Sequence, residues 1–408
     1  MSDVRSVDEI RSDFPALRRA QDGVPVAYLD GPGGTQVPQP VIDAMSDYLL
    51  HHNANTHWRY PTSEETDRLL DQAREIFGAF LGAAPQEISF GNNMTTITFH
   101  VARALGRAWQ AGDEVIVTEL DHHGNVAPWQ ALARERGIVL RWLPIETDSC
   151  TLRLDQLDAM LGPRTRLLAI GAASNIVGTV SDVARAATMA HDAGALVFID
   201  GVHYAPHFLP DVVALGCDLF ACSADKFHGP HVGVLWGRRP LLERLDVPRL
   251  EPAPDAAPER LETGTQNHEG IVGAAAAVRW LASLAPPATT LRQQLAVSLD
   301  AIHRREATLF DQLWRGLGTI AAVTRFGPPP ATHRTATVSF TVRGRDSETV
   351  AVALASEACF VSHGDFYAST VVRRLGLERE GVVRIGAACY TTSEEIDRVL
   401  AAVARLAP

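Results

Sequence analysis

Between residues 62 and 236 the chain alternates short apolar runs with segments of helical periodicity, and this rhythm constrains its fold more than any other feature. Runs such as 115–117, 167–170 and 195–199 carry no polar side chains. A strand that is apolar on both faces must be covered on both faces. The segments between these runs place apolar residues on one side of a helix, as Leu69, Leu70, Ile76, Phe77 and Phe80 do within 63–81. Strand-then-helix order predicts an α/β fold with a mostly parallel central sheet and helices on both faces. Strands are expected at 88–90, 113–117, 139–143, 165–170, 195–199, 219–222 and 232–236. Helices are expected at 38–50, 63–81, 126–136, 153–161 and 180–193, with another running from about residue 94 through Trp109.

The pattern changes further along. Residues 250–258 are rich in Pro, Ala and Glu and read as an exposed loop; 270–285 is an alanine-rich helix and 291–317 a long helix of mixed charge. Residues 320–406 read as α+β, with strands at 320–326, 335–342, 359–362 and 382–387 and helices at 347–358 and 393–406. The expected division is a large domain over 36–285 and a smaller α+β domain from 1–35 and 286–408, with a short helix within 1–20 and a strand at 26–29. The length of 408 residues agrees with two such units at roughly 150 residues per domain.

Composition narrows the function. With 46% hydrophobic and 21% charged residues the chain can build a large core, which excludes a mainly disordered protein. A formal net charge of -11 and the lack of a basic block argue against a nucleic-acid partner. The five cysteines are scattered and form no CxxC, so neither a disulfide framework nor a cysteine-rich zinc site is expected. The histidines lack a tight ligand spacing, and no metal is expected. The polar start and the lack of an apolar run of about 18 residues predict no signal peptide and no membrane span, with the cytoplasm as the default location. Lysine and arginine together number 37, yet Lys226 is the one lysine. Arginine replaces lysine at most surface sites, but not where a deprotonable amine must form an imine.

Polar residues gather where apolar strands end. Asp200 closes one strand and His203 follows it; Asp121-His122-His123, Ser174-Asn175 and a segment from Ser223 through Lys226 follow three others. In open α/β sheets ligands bind at these carboxyl ends. A lysine for an imine, a carboxylate for a ring nitrogen and donors for a phosphate are what an aldehyde cofactor requires.

Seven ordered stretches carry a resemblance. They are YLDGPGGT at 28–35, DHHGNVAPW at 121–129, SNIVGT at 174–179, DGVH at 200–203, SADKFHGP at 223–230, ETGT at 262–265 and RIGAACY at 384–390. The chain resembles the fold-type I pyridoxal-phosphate enzymes, specifically the class V aminotransferase family and its cysteine desulfurase-like branch, over nearly its whole length. Isopenicillin N epimerase-like proteins have a similar body. The resemblance implies pyridoxal 5'-phosphate as cofactor, an amino-acid substrate and a homodimer with shared active sites. It implies that Lys226 holds the cofactor as an imine and then acts as acid and base, and that Asp200 pairs with the protonated pyridine nitrogen. His123 would stack on the ring, while Asn175 and His203 would reach its hydroxyl oxygen. Asn93 and Met94 would offer backbone donors to the phosphate, Ser223 a hydroxyl, and Thr265 a contact to the phosphate of the neighbouring subunit. Arg384 would clamp the substrate carboxylate.

The departures from the family pattern bear on the reaction. Asp225 stands where histidine is common before the lysine, and Asn93-Met94 replaces a Thr-Thr pair. In Gly364-Asp365-Phe366-Tyr367, tyrosine stands where desulfurases carry the persulfide cysteine, and a phenol cannot accept sulfur in this way. The reading is therefore a desulfurase-like lyase that removes a β-substituent without that cysteine, with Tyr367 either a proton donor or a pocket-filling residue. An epimerase using Lys226 and Tyr367 on opposite faces, a class V aminotransferase and a non-catalytic cofactor-binding protein are the alternatives.

Overall fold

The computed structural model describes residues 4–407. Residues 1–3 of the expected N-terminal helical segment, and residue 408, lie outside the described residues. A seven-stranded sheet organises the first two thirds of the chain. Its strands are β1 (Ile88–Gly91), β2 (Glu114–Thr118), β3 (Val139–Leu143), β4 (Thr165–Gly171), β5 (Leu196–Asp200), β6 (Leu219–Ser223) and β7 (Gly233–Gly237). They lie in the order β1-β7-β6-β5-β4-β2-β3. The five strands from β6 to β3 run parallel, and β7 runs against both β6 and β1.

Alternate residues of each strand enter two different cores. Ile116, Leu168, Ile170, Val197, Ile199, Phe220 and Val234 belong to one cluster. Val115, Val117, Leu167, Ala169, Phe198, Leu219 and Leu235 belong to the other. This is the period-2 alternation of a strand buried on both faces. Helices Pro61–Leu81, Val183–Asp192 and His268–Ser283 cover one face, and Met94–Gly106 and Ala127–Arg136 cover the other.

A four-stranded antiparallel sheet forms from β8 (Val323–Phe326), β9 (Thr337–Val342), β10 (Ser362–Gly364) and β11 (Val382–Gly386), ordered β8-β9-β11-β10. Helix Leu291–Gly318 ties the two sheets together. Leu295, Leu299 and Ile302 enter the large-sheet core, while Leu309, Leu313 and Leu317 pack on the small sheet. Each trio follows the spacing of one helical face. Thr290 starts this helix, its hydroxyl accepting from the Gln293 amide at 3.2 Å while the Gln293 side chain accepts from the Thr290 amide at 3.1 Å. Near the N-terminus, Ala27–Tyr28 pairs in parallel with Cys359–Phe360, and Asp30 bridges to Gly386. The YLDGPGGT run is thereby stitched to the small sheet beside β11.

Some expected elements are shorter or divided. The helix expected at 180–193 is Val183–Asp192, because Val180 pairs with Ala173 and the Asp182 side chain caps the helix at the Arg185 amide. The segment 153–161 forms a 3-10 turn, Leu154–Gln156, and the four-residue helix Leu157–Met160. The strand expected at 359–362 is two strands with different partners, Cys359–Phe360 and β10. Among the described residues, no helix is long and apolar enough to cross a membrane.

Gly201, directly after β5, shows how tightly the carboxyl edge of the sheet is packed. A Cβ there would come within 1.9 Å of the Phe220 ring, which is fully buried. Overpacking of this kind costs about 1–3 kcal/mol. Gly201→Ala is expected to lower unfolding stability by about that amount, read from the urea midpoint at constant m-value; an unchanged midpoint would contradict the packing described here.

Candidate functional site

The carboxyl ends of β2, β4, β5 and β6 face a cavity of about 630 Å³, closed on its far side by the small sheet. Asp200, Ser223 and Lys226 line it from β5 and β6, and Asn175 follows β4. Arg384, Ser362 and the 364–367 loop line it from the small sheet, and Asp30 and Gly33 from the N-terminal segment.

Lys226 sits on the 3-10 turn Ala224–Lys226 that ends β6. Its Nζ donates to the Gly33 carbonyl at 2.6 Å and lies 3.1 Å from Asp225 Oδ2. The amine is thus tethered at the cavity wall by acceptors from two segments far apart in sequence.

Asp200 is buried at the last position of β5, where one carboxylate oxygen accepts from the Val202 amide at 2.9 Å. No lysine, arginine or histidine forms an ion pair with it among the described residues. Burial, with Asp121 nearby adding to it, pushes its pKa up to about 7, against the weaker opposing effects of the Val202 amide and then Lys226. Such a carboxyl is suited to a cationic N–H partner, as a protonated pyridine would supply. Asn175 Oδ1 is likewise buried without a partner, while its Nδ2 donates to the Phe366 carbonyl at 3.1 Å. An unpartnered buried acceptor in a cavity wall is a place for a ligand donor.

At the other end of the cavity, helix Met94–Gly106 begins. Asn93 is its N-cap, Oδ1 accepting from the Thr96 amide at 2.9 Å, and the Met94 amide donates to Ser223 Oγ at 3.0 Å. Backbone N–H groups and a hydroxyl therefore converge at a positive helix end, the environment an anionic phosphate requires. Thr95 also lines the cavity and was missed in the sequence. The aldehyde cofactor's three requirements, an amine, a carboxyl and an anion cradle, are met within one cavity.

The two adjacent histidines separate here, and the expectation for His123 is corrected. His122 lines the cavity; His123 does not. The His123 amide donates to the Tyr367 carbonyl at 2.6 Å, and its ring Nε2 meets Ser369 and Thr370 hydroxyls at 3.0 and 3.2 Å. It braces the 364–367 loop from outside the cavity. The reason is local: a tight turn, His123–Asn125, starts here, and successive side chains on it point about 120° apart. His122 Nδ1 accepts from the Gly124 amide at 2.8 Å, which leaves its proton on Nε2. Burial first, then the positive charge of Lys226, lowers its pKa to about 4 and keeps it neutral. Asp121 holds this loop by accepting from Thr118, Gly171 and Asn125, and burial raises its pKa to about 6.

His203 lines the cavity and is buried, with Nε2 against the hydroxyls of Thr335 at 2.9 Å and Thr337 at 3.1 Å. Burial depresses its pKa well below the ordinary value, so the ring is neutral. Arg384, buried in β11, is already engaged: Nη1 donates to the Asn175 carbonyl at 3.0 Å, and Nη2 to Asp30 Oδ1 at 2.7 Å and Ser362 Oγ at 3.2 Å. Asp30 is a site residue that the sequence reading passed over, although it lies inside the YLDGPGGT motif. Tyr367 lines the cavity mouth with 74% of its surface exposed and lies 5.5 Å from the His122 ring. All five cysteines are buried, and none lines the cavity. Thr265 lies outside this cavity, along surface pockets shared with His57, Arg74 and His100.

Comparison with known proteins places this geometry. The family model for aminotransferase class-V matches residues 27–399. The chain belongs to the class V aminotransferase family. It is 33% identical over 416 residues to a cysteine desulfurase of Dickeya dadantii, covering 98% of this chain and 96% of that protein. A probable cysteine desulfurase of Mycobacterium leprae is 34% identical over 422 residues, and there the match spans 66% of the relative. An apo cysteine desulfurase structure from Thermococcus onnurineus superposes with a TM-score of 0.89 at 28% identity, over 100% of this chain and 99% of that one. The chain is accordingly a cysteine desulfurase-like enzyme that depends on pyridoxal 5'-phosphate.

The raised pKa of Asp200 has a measurable consequence in the apoprotein. Below the ordinary carboxyl value of 3.8 the group is protonated in both native and unfolded chains. Between 3.8 and about 7 the unfolded chain releases a proton that the native one keeps, so stability falls as pH rises through that window. Urea unfolding of the apoprotein across this range is expected to show that decline. Asp200→Asn should make it shallower; an equal slope in both proteins would remove Asp200 as its source.

Proposed function

We propose that the chain removes a β-substituent from a cysteine-like L-amino acid without an enzyme-bound persulfide. The observation that carries this reading is the pairing of a complete cofactor cavity with Tyr367 at its mouth and no cysteine in its lining. Burial further raises the Cys217 thiol to about 12 and pushes those of Cys222 and Cys389 higher than ordinary thiols, so these sulfurs stay protonated and unreactive.

When bound, pyridoxal phosphate supplies an aldehyde for the substrate amine and an electron sink for negative charge at Cα. In this reading Lys226 Nζ carries the cofactor and then moves the α-proton, with Asp225 and the Gly33 carbonyl holding the amine when it is free. Asp200 holds the protonated ring nitrogen. His122, in place of His123, lies against the ring, and its neutral state prevents it from competing with Lys226 for a charge. Asn175 and His203 face the ring oxygen. The Met94 and Thr95 amides and Ser223 Oγ hold the phosphate, Asn93 acting as the cap that orients them. Arg384 faces the carboxyl end of the substrate.

The homodimer enters as part of the same reading. Leu49, Leu50, Trp58 and Tyr60 are large exposed side chains, and the chain neighbour of Trp58, His57, lines a surface pocket with Thr265. A second copy covering this face would bury them and carry Thr265 to the other copy's phosphate. The division into a 36–285 domain and a 1–35 plus 286–408 domain fits a cavity walled by two sheets.

The test is product analysis with L-cysteine and the purified holoenzyme. Cysteine and water are expected to give pyruvate, ammonia and hydrogen sulfide in equal amounts, with no sulfur left on the protein. Alanine with sulfur retained on a cysteine would overturn the reading. Lys226→Ala should lose both the visible absorbance band and turnover. Tyr367→Phe should keep kcat within about twofold, whereas a loss of about a hundredfold or more would make the phenol a proton donor. Sedimentation should report a dimer, with Thr265→Ala weakening cofactor retention; a fully active monomer would contradict the shared site.

A further inference from the structure

We propose that Tyr367 forms an aromatic subsite at the mouth of the cavity and that the preferred substrate is L-cysteine carrying an arylalkyl group on its sulfur, which makes Tyr367 a specificity-determining residue. The inference rests on the reading above, in which the chain removes a β-substituent, and names what that substituent is.

Tyr367 is an exposed ring on a backbone that is held in place. Phe366 and Tyr367 have positive φ, 53° and 55°, a conformation that residues other than glycine keep only where their surroundings impose it. Hydrogen bonds impose it from both sides. The Phe366 carbonyl accepts from Asn175 Nδ2 at 3.1 Å, and the Tyr367 carbonyl from the His123 amide at 2.6 Å. The Tyr367 amide donates to Asp365 Oδ1 at 3.0 Å, and the Ala368 amide to the Asp365 carbonyl at 2.8 Å. Ala368, Val371 and Val372 then anchor the loop in a buried cluster with Leu120 and Ile176, and Phe366 packs against it. The Tyr367 side chain takes no part in this anchoring. It joins no hydrophobic cluster of the described residues, its hydroxyl makes no hydrogen bond among them, and 74% of its surface is exposed. The restraints therefore present the ring to something outside the chain. A ring already fixed in this way loses little freedom when a ligand stacks on it.

The ring also continues a wall that begins inside the cavity. His122 and Tyr367 both line it, with ring centroids 5.5 Å apart and planes inclined at 50°. With the substrate amine toward Lys226 and its carboxyl end toward Arg384, the β-substituent is left the open side, where Tyr367 stands. A free thiol ends one bond beyond Cβ. An arylalkyl group on that sulfur carries a second ring outward, and two rings attract at centroid distances of about 4.5–7 Å. The exposed Asp365 carboxylate on the same loop repels an acidic substituent, so the favoured group is uncharged. For S-benzyl-L-cysteine the reaction balances with water as co-reactant. Lys226 takes the α-proton, and the electron pair of the Cα–H bond forms a Cα–Cβ double bond as the Cβ–S bond breaks. The sulfur leaves with the pair of that bond and takes up a proton as phenylmethanethiol, and water releases pyruvate and ammonia.

The experiment begins with two analogues in which CH2 replaces sulfur, so that nothing can be expelled and binding alone is read. L-norvaline stands for S-methyl-L-cysteine, and L-2-amino-5-phenylpentanoic acid for S-benzyl-L-cysteine. Each is titrated into the holoenzyme with the visible cofactor band as readout. The wild-type protein is expected to bind the phenyl analogue about tenfold more tightly. Tyr367→Phe should keep that ratio, and Tyr367→Ala should bring it below about threefold. S-benzyl-L-cysteine should then give pyruvate, ammonia and phenylmethanethiol in equal amounts. Equal binding of the two analogues, a ratio that Tyr367→Ala leaves unchanged, or tight binding of the phenyl analogue without pyruvate from S-benzyl-L-cysteine would each overturn the proposal. Pyruvate from L-cysteine in the same preparation would leave the functional reading standing in those cases. Pyruvate from neither compound would overturn that reading and this inference with it.

Discussion

A sheet buried on both faces leaves its strand ends as the place where the chain can meet a polar ligand. Every side chain along the middle of β4, β5 and β6 is committed to one core or the other. The parallel direction of these strands sends their carboxyl ends to the same edge. Asn175, Asp200 and Lys226 therefore line one cavity although the first and last of them are 51 positions apart in the sequence. The tight packing around Gly201 and Phe220 fixes where that edge lies.

The electrostatics of the cavity follow from the same burial. His122 and His203 are kept neutral, so they can orient a ring or share a hydrogen bond without adding positive charge near Lys226. Asp200 and Asp121 are pushed the opposite way, toward holding their protons. A cationic partner would restore the charge on Asp200, which gives cofactor binding a direct role in stabilising this edge of the fold. Much of the cavity's polarity is thus poised for a ligand.

The second wall comes from elsewhere in the chain. Helix Leu291–Gly318 carries the small sheet to the open edge of the large one, and the parallel pairing of Ala27–Tyr28 with Cys359–Phe360 brings Asp30 to β11. There the loop after β10 holds Phe366 and Tyr367 at positive φ, 53° and 55°, a conformation that costs each residue about 1–3 kcal/mol unless its surroundings impose it. Its restraints are visible: Asn175 holds the Phe366 carbonyl and His123 holds that of Tyr367. His123 thereby shapes the mouth of the cavity without lining it.

Periodicity and turn chemistry in the sequence determined the layered architecture, because a run of apolar residues has no stable alternative to burial on both faces. The order of residues also put the one lysine of the chain after a strand, with a carboxylate ending the preceding strand, an arrangement that can be read residue by residue. Tertiary structure alone decided which of His122 and His123 faces the cavity, because adjacent residues on a tight turn point in different directions and the sequence does not set the turn's rotation. It alone decided that Asp30 meets Arg384, a pairing across 354 positions of chain that depends on how two sheets are docked. The place of Thr265, outside the cavity of its own chain, was legible only as a family resemblance. Burial is encoded locally in side-chain chemistry, whereas the direction of a side chain and the approach of distant segments depend on packing over the whole molecule.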